Sequence, residues 1–103
     1  GMRGMNPVVR AYARLLRFLP LIGIRPSLES TPEERRAQIV QELPVAEPPV
    51  TALTRLYTTE KYAPPQGRQQ IAARDDLADR AWGDARGSIL KRWLRRLLPW
   101  GRR

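Results

Sequence analysis

An all-α fold, a small bundle of about four helices with the last long or kinked near Gly83 to Ser88, is predicted by three observations. Apolar residues recur at spacings of three and four along most of the chain, and no alternating strand pattern competes with them. Strong helix-start signals, Asn6-Pro7 and Thr31-Pro32-Glu33-Glu34, precede two of these stretches. The ten prolines fall mostly at the ends of the periodic segments. A chain of 103 residues supports one modest core. Residues 6–98 therefore read as a single helical domain, 1–5 as a cloning or protease scar (Gly1 ahead of Met2) with a flexible start, and 99–103 as a basic tail.

The first helix starts with Asn6 as cap and Pro7 at the first helical position, where a missing N–H costs nothing. Val8, Tyr12, Leu15, Leu16 and Leu19 then share one face, opposite Arg10, Arg14 and Arg17. Pro20 is expected to stop it, and Leu21 to Ser30 reads as a connector broken by Gly23 and Pro26. In the second helix Thr31 and Glu34 have the spacing of a capping box, and Ala37, Val40, Ile39 and Leu43 are the candidates for its buried side. Pro44 limits it, and Pro44 to Pro49 reads as a proline-rich connector.

The third helix is expected from about Val50 to Tyr62, with Val50, Leu53, Leu56, Tyr57 and Ala63 forming its stripe before Pro64 and Pro65. The fourth pattern runs from about Gln69 to Leu98, acidic near its start and basic at its finish, as the helix dipole favours. Gly83 and Gly87 are weak points, and Ser88 is placed to cap a separate terminal helix. Trp82, Ile89, Leu90, Trp93, Leu94 and Leu97 are expected on one arc, opposite Lys91, Arg92, Arg95 and Arg96.

Charge is sorted along the chain. Five arginines and no acid occupy residues 1 to 25, and seven basic groups and no acid occupy 86 to 103. Between them seven basic residues face ten carboxylates, within a net charge of +9. Cationic ends rich in large apolar side chains point to an anionic partner surface. No apolar run approaches the roughly 20 residues that span a bilayer, and no signal-peptide pattern is present.

The chain has no cysteine and no histidine. That removes disulfides, Cys/His and Ser/His catalysis and most zinc or copper sites, so no cofactor, metal or catalytic residue is expected. Glu33 and Glu34 are explained by the dipole at a helix start. The acids Asp75, Asp76, Asp79 and Asp84 lack the spacing of a calcium loop, and Asp76 with Arg80 has that of an ordinary surface pair. Tyr57 and Tyr62 read as core and cap residues, and Trp82 as core.

The order of Ile24-Arg25-Pro26, Thr31-Pro32-Glu33-Glu34, Leu53-Thr54-Arg55-Leu56-Tyr57 with Tyr62, and Ala81-Trp82 with Arg86 and Ser88 resembles the uncharacterised carboxyl-terminal cytosolic domain of bacterial membrane-anchored transglutaminase-like proteins. The resemblance implies an all-helical domain that follows the last membrane-spanning helix of a larger protein, at the cytoplasmic face of the cell membrane. Any enzymatic activity would then belong to the parent. Arginines just inside a spanning helix fit that placement.

The expected function is therefore that of a non-catalytic juxtamembrane accessory or interaction domain, with the membrane surface or the parent protein as partner. Arg10, Arg14, Arg17, Lys91, Arg92, Arg95 and Arg96 would supply charge, and Trp93 and Trp100 would insert. Two rivals stand beside it. One is a free basic protein that binds nucleic acid without sequence preference, since no reader motif is present. In the other, Trp93, Leu94 and Leu97 pack into the domain and the arginines are merely solvated.

Overall fold

The computed structural model describes residues 6–27, 29–62 and 66–97. Four α-helices appear there, α1 (Pro7–Phe18), α2 (Pro32–Glu42), α3 (Glu47–Tyr62) and α4 (Arg68–Leu97), with short 3-10 turns at Leu19–Ile22 and Pro44–Ala46. No strand occurs among the described residues. The all-α bundle expected from the sequence is the fold.

Both helix-start signals work as the chemistry requires. The Asn6 carboxamide oxygen accepts from the Val9 N–H at 2.9 Å. Thr31 Oγ1 accepts from the Glu34 N–H at 3.1 Å while Glu34 Oε1 accepts from the Thr31 N–H at 2.9 Å, which closes the capping box.

Two boundaries differ from expectation, both because proline marks a helix start as readily as a stop. Pro20 does not end the first helical segment but sits in the first turn of the 3-10 continuation, which runs to Gly23. Gly23 closes it at φ +82°, a left-handed conformation that glycine adopts at little cost. Pro48 and Pro49 lie inside the first turn of α3, not in a connector, because backbone N–H groups there have no intrahelical partner to lose. Of the two courses expected for the last helix, long or kinked near Gly83 to Ser88, the long one holds: α4 continues unbroken through Gly83 and Gly87 for 30 residues. Ser88 caps nothing; its hydroxyl donates back to the Asp84 carbonyl at 3.2 Å, within the helix.

The core is formed by Val8, Ala11, Tyr12, Leu15 and Leu19 from the first segment and by Val50 and Leu53 from α3. From α4 come Ala78, Ala81, Trp82, Ala85 and Ile89. Alanines on the buried stripe of α4 let α1 and α3 both pack closely against it. Phe18 meets Trp82 edge to face at 5.0 Å between centroids, and Tyr12 stacks on Tyr57 at 4.2 Å. α2 lies on α3 and contributes Ile39 and Leu43. Ala37 is exposed instead of buried, as is Tyr62, at 82%. Ala63, placed on the third helix by its spacing, lies outside the described residues.

Contacts along the chain fix the relative direction of the helices. Asn6, at the start of α1, is tied through Glu60 to Arg74, in the first third of α4. Phe18 then meets Trp82, and Gly23 lies beneath Arg96. α1 and α4 therefore run in the same direction, and the 3-10 turn that follows α1 reaches the end of α4, in a body 51 Å long and 27 Å across. α3 runs the opposite way, since its last turn carries Glu60.

Candidate anionic-surface site at the shared helix ends

The parallel course of α1 and α4 brings the turn that closes the first segment to the basic end of α4. Gly23, two residues before Arg25, lies against Arg96, whereas Phe18, next to Arg17, lies against Trp82 in the middle of α4. Arg14, Arg17, Lys91, Arg92, Arg95 and Arg96 are exposed and Arg10 is half-buried on the flank. Trp93 is half-buried, and Trp100 lies outside the described residues.

All four ion pairs among the described residues fall in the middle of the chain. They are Arg36–Glu33, Arg74–Glu60, Arg74–Asp75 and Arg80–Asp76. The last is the surface pair expected from its spacing. Hydrogen bonds from Arg36 hold the Glu33 carboxyl below its ordinary 4.5. For Arg74, burial disfavours the charged form, but hydrogen bonds to Asp75 and Glu60 outweigh it and raise the guanidinium pKa. Four of the ten middle acids, Glu33, Glu60, Asp75 and Asp76, are thus paired with middle arginines. None of the seven candidate cations forms an ion pair among the described residues, and no group of three or more acids there is arranged to hold a metal.

The last turns of α4 are oriented differently from the predicted arc. The buried stripe Ala78, Ala81, Trp82, Ala85 and Ile89 follows spacings i, i+3, i+4, i+7 and i+11, and its continuation at i+14 and i+18 is Arg92 and Arg96. These two arginines therefore point back along the bundle. Arg92 Nη2 donates to the Glu42 carbonyl at the end of α2, at 3.4 Å. A Cβ added at Gly23 would lie 3.3 Å from Arg96 Nη1, so that guanidinium covers the turn closing the first segment. Both place positive charge at the negative end of a helical segment.

The apolar arc turns outward as a consequence. Leu94 is 47% exposed and Leu97 55%, while Leu90 and Trp93 are half-buried. Leu94 and Leu97 thus do not pack into the domain. Leu94 sits beside Lys91, three residues before it on the helix surface, while Leu97 lies on the far side of the helix from Arg95; the side chains of Lys91 and Arg95 make no hydrogen bond among the described residues. The sequence signal that separates the two kinds of arginine was present in the alanine stripe of α4, which extends to Arg92 and Arg96.

Between the 3-10 turn Pro44–Ala46 and the end of α4 lies a groove of about 320 Å³, lined by Leu43, Pro44 and Val45 on one side and by Lys91, Arg92 and Arg95 on the other. Sequence reading missed it, because the 44–49 segment read as a connector. A second groove of about 340 Å³ between α3 and α4 is mostly apolar and includes the paired Glu60 and Arg74.

Among known proteins, no family model, no curated protein and no solved structure matches the chain.

Proposed function

We propose that this chain is a non-catalytic accessory domain that sits on an anionic membrane surface through the end of α4, at the cytosolic face, as the juxtamembrane part of a longer membrane-anchored protein. The observation that supports the reading is the outward-facing Leu94 beside the unpaired cation Lys91, with Leu97 and Arg95 also exposed on the same final turns. Apolar side chains next to cations suit the interface of a bilayer, where one group enters the acyl boundary and the other meets phosphate. Nucleic acid would reward the cations but gain little from exposed leucines. The motif order resembling the carboxyl-terminal domain of membrane-anchored transglutaminase-like proteins supports the same location.

No helix among the described residues is long and apolar enough to cross a membrane. The proposed attachment is accordingly peripheral. Each cation near an anionic leaflet contributes about 1 kcal/mol, so Lys91 and Arg95 at the end of α4 give weak, reversible binding that falls with salt.

Sedimentation with vesicles tests it. The domain is expected to pellet with phosphatidylcholine vesicles containing phosphatidylglycerol but not with phosphatidylcholine alone, and Lys91→Glu with Arg95→Glu should release it. Failure to bind either vesicle, alongside salt-sensitive binding to DNA, would replace the membrane reading with that of a nucleic-acid-binding protein.

A further inference from the structure

The groove beside the 3-10 turn Pro44–Ala46 is more than a gap between elements. Lys91 and Arg95 are one helical turn apart on α4 and both line it, with Arg92 between them. Arg92 spends only Nη2 on the Glu42 carbonyl, so Nε and Nη1 keep their donor capacity. No acid lines the groove, and the facing wall is Leu43, Pro44 and Val45, of which Val45 is 70% exposed. Three cations against a short apolar wall, with no counter-charge of their own, form an arrangement complementary to a compact anion attached to a few carbons.

We infer that this groove seats the headgroup of a single anionic phospholipid, with a phosphomonoester as the preferred group. This deepens the membrane reading above and rests on it. The volume, about 320 Å³, is at the low end of small-ligand cavities, which suits a headgroup and excludes a folded acyl chain. A phosphomonoester carries close to two negative charges near neutral pH and three terminal oxygens, so it engages two arginines and a lysine at once. A phosphodiester carries one charge and two free oxygens, and leaves one cation without an equivalent partner. The glycerol carbons would lie on Pro44 and Val45. Leu94, next to Lys91 on the helix surface, would enter the bilayer beside the seated lipid.

The test compares phosphatidylcholine vesicles carrying phosphatidic acid with vesicles carrying phosphatidylglycerol, adjusted to equal surface potential so that non-specific attraction is the same. The wild-type domain should bind the phosphatidic acid vesicles about tenfold more tightly, the worth of one additional charge-assisted contact. Lys91→Gln and Val45→Gln should abolish that preference. Arg14→Gln removes the same charge as Lys91→Gln but lies on the outer face of α1, so it should weaken both vesicles alike and leave the ratio unchanged. Equal affinity of the wild type for the two vesicles, or a ratio that survives Lys91→Gln, would overturn the headgroup seat while leaving the membrane reading intact. No binding to either vesicle would defeat the membrane reading itself, and the seat with it. Circular dichroism of Val45→Gln and Lys91→Gln, both at exposed positions, checks that each variant keeps its helices.

Discussion

Glu60 on α3 joins three helices through its two oxygens. Oε1 accepts from Arg74 Nη1 of α4 at 2.7 Å, and Oε2 accepts from the Asn6 carboxamide nitrogen, at the cap of α1, at 3.0 Å. The Asn6 oxygen meanwhile caps its own helix. One mostly buried carboxylate thus ties the cap of α1 and the first third of α4 to the last turn of α3. Glu60→Gln keeps the shape but removes the charge that balances Arg74. It should cost about 2 kcal/mol, between the loss of a charged hydrogen bond and that of a fully buried pair. Urea unfolding measures it, and Glu60→Gln with Arg74→Met should be less destabilising than the sum of the two single changes.

The glycines of the chain should respond in opposite directions to alanine. Gly23 has φ +82° and Arg96 at 3.3 Å from the site of an added methyl. Gly23→Ala should therefore destabilise by about 1 to 2 kcal/mol. Gly83 lies in the middle of α4, with nothing within 4 Å of the added methyl. Gly83→Ala should stabilise by about 1 kcal/mol, the usual helix preference for alanine. Thermal unfolding of the two variants side by side decides it.

Tyr57 lies flat against Tyr12, with rings 4.2 Å apart and 11° from parallel, and Lys61 Nζ is 5.2 Å from the Tyr57 ring centre. Tyr57→Leu retains most of the apolar contact but loses the ring stack, and should cost about 1 kcal/mol. Tyr12→Phe removes only the hydroxyl that accepts from Arg35 at 3.4 Å, and should cost less than about 0.5 kcal/mol. A reversed order, measured by denaturant midpoints, would mean that the Arg35 contact outweighs the stack.

The pH response of the α2 start follows from Glu33. Hydrogen bonds from Arg36 depress its carboxyl below the ordinary 4.5. A depressed folded pKa gives a contribution to stability that is present above the ordinary value and lost as pH falls through the folded one. Carboxyl titration by NMR should place Glu33 below 4.5, and Arg36→Gln should return it toward that value.

The helices were legible in the sequence because their signals are local. Asn6-Pro7 and the Thr31/Glu34 box act within one turn, and apolar spacing assigned Val8, Tyr12, Leu15, Val50, Leu53, Trp82 and Ile89 to the core they occupy. What local reading misjudged depended on neighbours. Pro48 and Pro49 look like linker residues until the preceding 3-10 turn delivers the chain to a helix start. The end of α4 looks like one amphipathic helix, yet which arc faces inward was settled far upstream by Ala78, Ala81 and Ala85. Arg92 and Arg96 consequently support the ends of other helical segments, whereas Lys91 and Arg95 remain available for a partner.

The absence of cysteine makes the membrane reading directly measurable, because a single introduced cysteine carries a single probe. An environment-sensitive fluorophore placed at Leu97→Cys should shift to the blue and become shielded from an aqueous quencher when anionic vesicles are added, while the same probe at exposed Arg55→Cys on α3 should not change. That pattern is what insertion of the end of α4 predicts. An unchanged Leu97→Cys signal under conditions where the protein pellets with the vesicles would contradict it, and would assign the contact to another face of the bundle.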